Sequence, residues 1–246
     1  GVEVQGLLYL PEGVDRPAVV FDVHGGPTAQ TKADFDPVSQ YFVSRGIAVF
    51  HPNVRGSTGF GRTYFKLDDR ENRRDSVRDL VDLLDCLGAR GLVDPTRAAV
   101  RGGSYGGYMV NAVLSEYPDA FRAGVSLFGV GNWVTALEVA TPDLLASDRI
   151  EYGDISDPEW RAFYTEISPV NNADRIRVPV LYAHGAQDRR VDKAESEVMV
   201  RALRANGIDV EYLLFDDEGH GWRKLKNRLF YYPREIAFLK QHLGLE

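Results

Sequence analysis

Cysteine is almost missing from this chain: Cys86 is the only one in 246 residues. No internal disulfide can form, which leans toward a reducing, cytoplasmic compartment, although secreted proteins can also do without disulfides. Cys86 falls in an amphipathic helical pattern and reads as a small core residue. A basic surplus is missing too. Lys and Arg number 29 against 36 Asp and Glu, a formal charge of −7. Nothing there would neutralise a nucleic-acid backbone, so no nucleic-acid partner is expected. No apolar run reaches the length of a membrane-spanning helix, and no membrane partner is expected. No repeat, low-complexity tract or Pro/Ser-rich linker divides the sequence. No signal-peptide pattern opens it, but the chain begins at Gly1 rather than Met, so that absence excludes little.

What is present is ordinary for a globular α/β protein: 44% apolar and 26% charged residues, enough for one large core. Short apolar runs alternate with longer helical patterns, the signature of a mostly parallel sheet wrapped by helices. Strand-like runs occur at Val2–Leu10, Ala18–Val23, Ile47–Phe50, Ala98–Val100, Ala123–Phe128, Val178–Ala183 and Val210–Phe215. Helical patterns occupy 37–44, 75–89, 108–114, 193–205 and 229–243. The stretch 53–69 reads as a long loop, and 132–173 is irregular and aromatic. The expected fold class is α/β, with about eight strands in one domain over 1–246.

The most informative stretch is Gly102-Gly103-Ser104-Tyr105-Gly106-Gly107, placed between the run Ala98–Val100 and a helical segment. In that context G-x-S-x-G spells a nucleophile elbow. The sharp turn strains the serine backbone, so the positions two before and two after it must lack a Cβ. The serine hydroxyl then stands at the carboxyl edge of the sheet, and the Tyr105 N–H points where an oxyanion would form. The bland alternative is a Gly-rich strand-to-helix turn or a phosphate loop.

A serine hydroxyl needs a base beside it. Of the five histidines, His220 in Glu218-Gly219-His220-Gly221 is the loop histidine that completes the order Ser, Asp/Glu, His; taken alone it could equally be a solvent-facing loop residue. The orienting carboxylate should follow a strand. Asp188, in His184-Gly185-Ala186-Gln187-Asp188, does so. Asp192 fits better as a cap for the next helix, and Asp216, Asp217 and Glu218 read as a solvated acidic turn. The second oxyanion donor should follow an early strand; Gly26 in His24-Gly25-Gly26-Pro27 occupies that place, a simple Gly-Pro turn being the alternative.

These stretches resemble the catalytic domain of the prolyl oligopeptidase family of serine peptidases, and most nearly its acylaminoacyl-peptidase and dipeptidyl-peptidase-like branches. Asn53-Val54-Arg55-Gly56-Ser57-Thr58-Gly59-Phe60-Gly61 and Ser168-Pro169 add to the match, in the family order. The resemblance implies an α/β-hydrolase fold with helices on both faces of the sheet. It implies Ser104 as nucleophile, Asp188 and His220 as its partners, and the N–H groups of Tyr105 and Gly26 as oxyanion donors. It further implies that Arg190 binds a substrate carbonyl and that Val130, Trp133 and Val191 line an apolar pocket before the scissile bond, with a surface arginine and core side chains as the alternatives. The expected reaction is acyl-enzyme hydrolysis of small peptide or acylaminoacyl bonds, with small acyl esters as the alternative and a non-catalytic binding domain a more distant one. No metal and no cofactor is expected. Family members usually carry a β-propeller before this domain. Its turn-rich pattern is not found in these residues, which leads to the expectation that the chain by itself cleaves esters better than amides.

Overall fold

The computed structural model describes residues 1–139 and 150–245. Each apolar run yields one strand: β1 Gln5–Tyr9, β2 Val19–Val23, β3 Ala48–Asn53, β4 Ala98–Gly103, β5 Ala123–Leu127, β6 Val180–Gly185 and β7 Val210–Phe215. They form one seven-stranded sheet in the order β1-β3-β2-β4-β5-β6-β7, against the approximate expectation of eight. Only β1 is antiparallel to its neighbour.

The near-continuous apolar strands follow from burial on both faces. Along β2, Val19, Phe21 and Val23 enter one core and Val20 enters the other. The α-helices described over their full length are α1 Pro37–Val43, α2 Arg62–Phe65, α3 Arg73–Ala89, α4 Tyr105–Glu116, α5 Trp133–Glu138, α6 Pro158–Ile167, α7 Ala194–Ala205 and α8 Leu225–Leu243. Helices α1 and α8 cover one face of the sheet; α3 to α7 cover the other. Helix α1 starts where its sequence dictates: Asp36 accepts from the N–H groups of Val38 and Ser39, and Pro37 occupies the first turn. The short helix α2 lies inside the stretch read as loop, and α8 begins four residues before its expected start.

Helix α4 is the axis of the molecule. Every residue from Tyr105 to Ser115 is buried, as a helix surrounded on all sides must be. Truncating one of its aliphatics, such as Leu114, would cost roughly 2–5 kcal/mol. Cys86 is a correction: it is exposed. The buried stripe of α3 runs through Val77, Leu80, Leu84 and Leu87. Cys86 lies two positions from Leu84, about 200° around the helix, on the outer face.

Candidate active site

Ser104 occupies the turn between β4 and α4 with φ 59° and ψ −120°, a region that costs a non-glycine residue about 1–3 kcal/mol. Its N–H donates to the Leu127 carbonyl at 2.9 Å. The flanking glycines are sterically required. A Cβ on Gly102 would sit 2.4 Å from the Gly106 carbonyl oxygen, and one on Gly106 would sit 2.1 Å from the Val23 carbonyl oxygen. Both obstacles are backbone and cannot rotate away.

Strand β6 delivers the carboxylate. Asp188 Oδ1 accepts from the N–H groups of Arg190 (2.8 Å) and Val191 (3.1 Å), and Oδ2 accepts from His220 Nδ1 at 2.6 Å. Burial by itself would raise this carboxyl. Hydrogen bonds from His184, His220 and the Arg190 N–H outweigh it and hold the group well below the usual carboxylate range. It is therefore ionised at neutral pH, which fixes the His220 proton on Nδ1 and leaves Nε2 free to act as a base. His184 supports the same carboxylate from behind. Its Nε2 donates to the Val191 carbonyl at 3.0 Å and lies 3.5 Å from Asp188 Oδ2, while Nδ1 accepts from Ser196 Oγ at 2.8 Å.

The loop carrying His220 is tied down by Glu218. This acid is buried, not part of a solvated turn: its carboxylate accepts from the N–H groups of Arg223 and Lys224 and from Asn227 Nδ2. Its carbonyl accepts from the Gln187 N–H at 2.9 Å, joining the histidine loop to the carboxylate loop. The His220 ring packs on Phe128, with centroids 4.5 Å apart. Ser104 and His220 line one cleft, with no hydrogen bond between them among the described residues. Asp192 accepts from the Ala194 N–H at 2.9 Å, at the start of α7.

The loop after β2 brings Gly26 against Ser104, where both line the same two cavities. His24 anchors that loop. Nδ1 donates to the Gly25 carbonyl at 2.8 Å, so Nε2 must accept from Ser57 Oγ at 2.9 Å. Burial is the main cause that pulls the His24 pKa below its ordinary value of 6.5, against the opposing pull of the Gly25 carbonyl and Asp22. An unfolded histidine takes up its proton near 6.5, the folded one only at lower pH. Stability is therefore full above about 6.5 and declines as pH falls toward the folded pKa. In melts between pH 7.5 and 5.5, His24→Gln should flatten part of this acid decline. Parallel curves for the two proteins would remove His24 as its source.

A cavity of 210 Å³ opens beside Ser104. Its walls include Gly26, Tyr105, Val130, Trp133, Arg190 and Val191, so every residue expected at the oxyanion and substrate positions reaches it. Tyr152 and Glu195 were not anticipated there. Tyr152 packs against Trp133 in a tilted arrangement, with centroids 4.9 Å apart. Its sequence signal was only an aromatic in an irregular stretch. Glu195 has its oxygens engaged: Oε2 accepts from the N–H groups of Gly131 and Asn132, and Oε1 from Thr135. Burial raises its pKa. It braces the turn that carries Trp133. Asp68, Asp69 and Glu151 bring carboxylate oxygens within 4.8 Å of one another, but Asp68 and Glu151 are already paired with Arg73.

The model of the prolyl oligopeptidase family matches residues 33–246. The Dipeptidyl peptidase family member 6 of Caenorhabditis elegans is 38% identical over 228 residues, 91% of this chain and 31% of that protein. The Dipeptidyl aminopeptidase BIII of Pseudoxanthomonas mexicana is 37% identical over 232 residues, 92% of this chain and 33% of that protein. A puromycin-hydrolyzing peptidase of Mycobacterium tuberculosis superposes with a TM-score of 0.93 at 33% identity, covering 99% of this chain and 38% of the other. The chain thus spans about a third of the length of these curated relatives. No helix among the described residues is long and apolar enough to cross a membrane.

Proposed function

The chain belongs to the prolyl oligopeptidase family, and on that premise we propose that it is a serine peptidase working through an acyl-enzyme on small peptide or acylaminoacyl substrates. The observation that carries this reading is the 2.6 Å hydrogen bond from His220 to the buried carboxylate of Asp188, with His220 lining the same cleft as the strained Ser104. Ser104 Oγ attacks the carbonyl while His220 Nε2 takes its proton, and Asp188 stabilises the imidazolium. The oxyanion forms against the N–H groups of Tyr105 and Gly26. His220 returns the proton to the leaving amine, and water repeats the cycle on the acyl-enzyme. Arg190, on the rim of both cavities, is placed to hold a substrate carbonyl. Names of the matched relatives favour peptide bonds over the alternative of small acyl esters.

In the whole protein, residues 1–246 serve in this reading as one hydrolase domain beside a further, propeller-like domain, since the matched relatives are about three times as long. The single cysteine favours a cytoplasmic setting.

Val130, Trp133, Tyr152 and Val191 make the acyl pocket largely apolar, and Glu195 is consumed by its internal hydrogen bonds. A buried, unpaired basic side chain would be costly there. Among anilides with Phe, Ala, Pro or Arg before the scissile bond, Phe should exceed Arg in kcat/KM by about tenfold or more. Arg as the best substrate would overturn the apolar reading and make Asp192 or Glu195, the two acids lining the cavity, a ligand for the substrate cation. Failure of Ser104 to become covalently acylated by an activated ester, read by mass spectrometry of the acid-quenched enzyme, would end the acyl-enzyme reading itself.

A further inference from the structure

Two cavities meet at Ser104. The acyl pocket holds Trp133 and Tyr152 but not His220. The second, an open cleft of 580 Å³, is walled by His220, Trp222, Tyr232, Arg101, Asp22 and His24. The two share Gly26, Ser104 and Arg190. The departing half of a substrate must lie beside the imidazole that protonates it. That imidazole faces the larger cleft.

One wall of this cleft is polar and partly uncommitted. Asp22 and Arg101 are register partners on β2 and β4. Arg101 Nη1 donates to Asp22 Oδ1 at 2.7 Å, and Nε donates to Glu235 Oε1 at 2.7 Å. The Arg101 side chain is only 10% exposed. Its Nη2 has no hydrogen bond among the described residues, and neither has the hydroxyl of half-buried Tyr232. A guanidinium pinned at two nitrogens presents the third in a fixed direction, so little freedom is lost when it binds.

We propose that this cleft is the leaving-group subsite. In it, Arg101 Nη2 and the Tyr232 hydroxyl hydrogen-bond the main chain of the residue after the scissile bond. The site selects leaving groups derived from amino acids over bare amines or alcohols. Asp22 and Glu235 already balance the Arg101 charge, so a neutral amide carbonyl suits Nη2 better than a free carboxylate. Arg101 and Tyr232 are specificity-determining residues here, and the proposal rests on the acyl-enzyme reading above.

Running the first step backwards isolates this subsite. An acyl-enzyme is formed from an N-acyl-phenylalanine ester, and an added amine competes with water for it. The amine nitrogen attacks the acyl carbon, its proton passes to His220, and Ser104 Oγ departs with that proton. One amide bond forms and one ester bond breaks. The product ratio of amide to acid reports leaving-group-side binding, because both products come from a single acyl-enzyme. At equal free-base concentration, glycinamide should exceed ethylamine in this ratio by about tenfold, and glycine should fall below glycinamide. Tyr232→Phe should lower the glycinamide ratio about threefold, and Arg101→Lys should remove the preference. If Arg101→Lys fails to fold, Tyr232→Phe decides alone. Equal ratios for glycinamide and ethylamine, or a glycinamide ratio untouched by Tyr232→Phe, would overturn the proposal. Failure to form any acyl-enzyme from the ester would instead overturn the underlying hydrolase reading, and this proposal with it.

Discussion

Ser104→Ala should lower turnover by about 10³-fold or more and abolish labelling by a fluorophosphonate. Among the described residues Ser104 carries the one hydroxyl that lines both cavities, and in the proposed mechanism it is the nucleophile. What activity remains would come from the oxyanion donors and substrate binding alone. The fold should survive, since alanine must accept the same φ of 59° that serine accepts. Ser104→Gly separates strain from chemistry. It should be just as inactive, yet melt above Ser104→Ala, because glycine visits that backbone region freely and relieves part of the roughly 1–3 kcal/mol stored there. Labelling that persists at another serine in Ser104→Ala would remove this residue from the mechanism. An alanine variant as stable as the glycine variant would mean that the elbow stores no strain.

The elbow could be read in the sequence because it rests on sterics that only glycine satisfies, as the 2.1 Å approach of a Cβ on Gly106 to the Val23 carbonyl shows. The strands could be read because a sheet buried on both faces leaves uninterrupted apolar runs. Cys86 was misplaced by helical phase, an error of two positions that turns a side chain to the opposite face. Glu218 was misread because an acid in a short polar turn looks solvated, while its partners at Arg223, Lys224 and Asn227 come from the following residues closing back over it. Tyr152 carries no period that would point it at Trp133. Arg101 did carry a usable signal: a charge directly after the apolar run Ala98–Val100 and before the elbow glycines has to find partners if the strand continues through it. Which partners it finds, Asp22 across the sheet and Glu235 from α8, depends on strand order and helix docking that local pattern does not contain.

Arg73→Met should be the most destabilising single change behind the acyl pocket. The Arg73 side chain is fully buried. Its Nη1 donates to Asp68 and, at 3.0 Å, to the Tyr105 hydroxyl; Nη2 donates to Glu151 at 2.6 Å. The guanidinium also lies over the Tyr152 ring, 4.7 Å from its centroid. One residue thus ties α3 and the loop before it to the first residue of α4, whose N–H is assigned to the oxyanion, and to a wall of the pocket. Removing it leaves two largely buried carboxylates unpaired, a loss of about 3–5 kcal/mol. For a chain of this size that corresponds to a fall in Tm of roughly 10 °C. Charge, not shape, should be the cause. Adding Asp68→Asn and Glu151→Gln to Arg73→Met should therefore recover more than half of the lost Tm, because neutral amides are far cheaper to bury than unpaired carboxylates. If the triple variant melts no higher than Arg73→Met, the loss comes from packing around Tyr105 and Tyr152. If Arg73→Met melts within about 2 °C of the parent, less than 1 kcal/mol rests on this cluster, and the pocket floor is held by Trp133 and its aromatic neighbours instead.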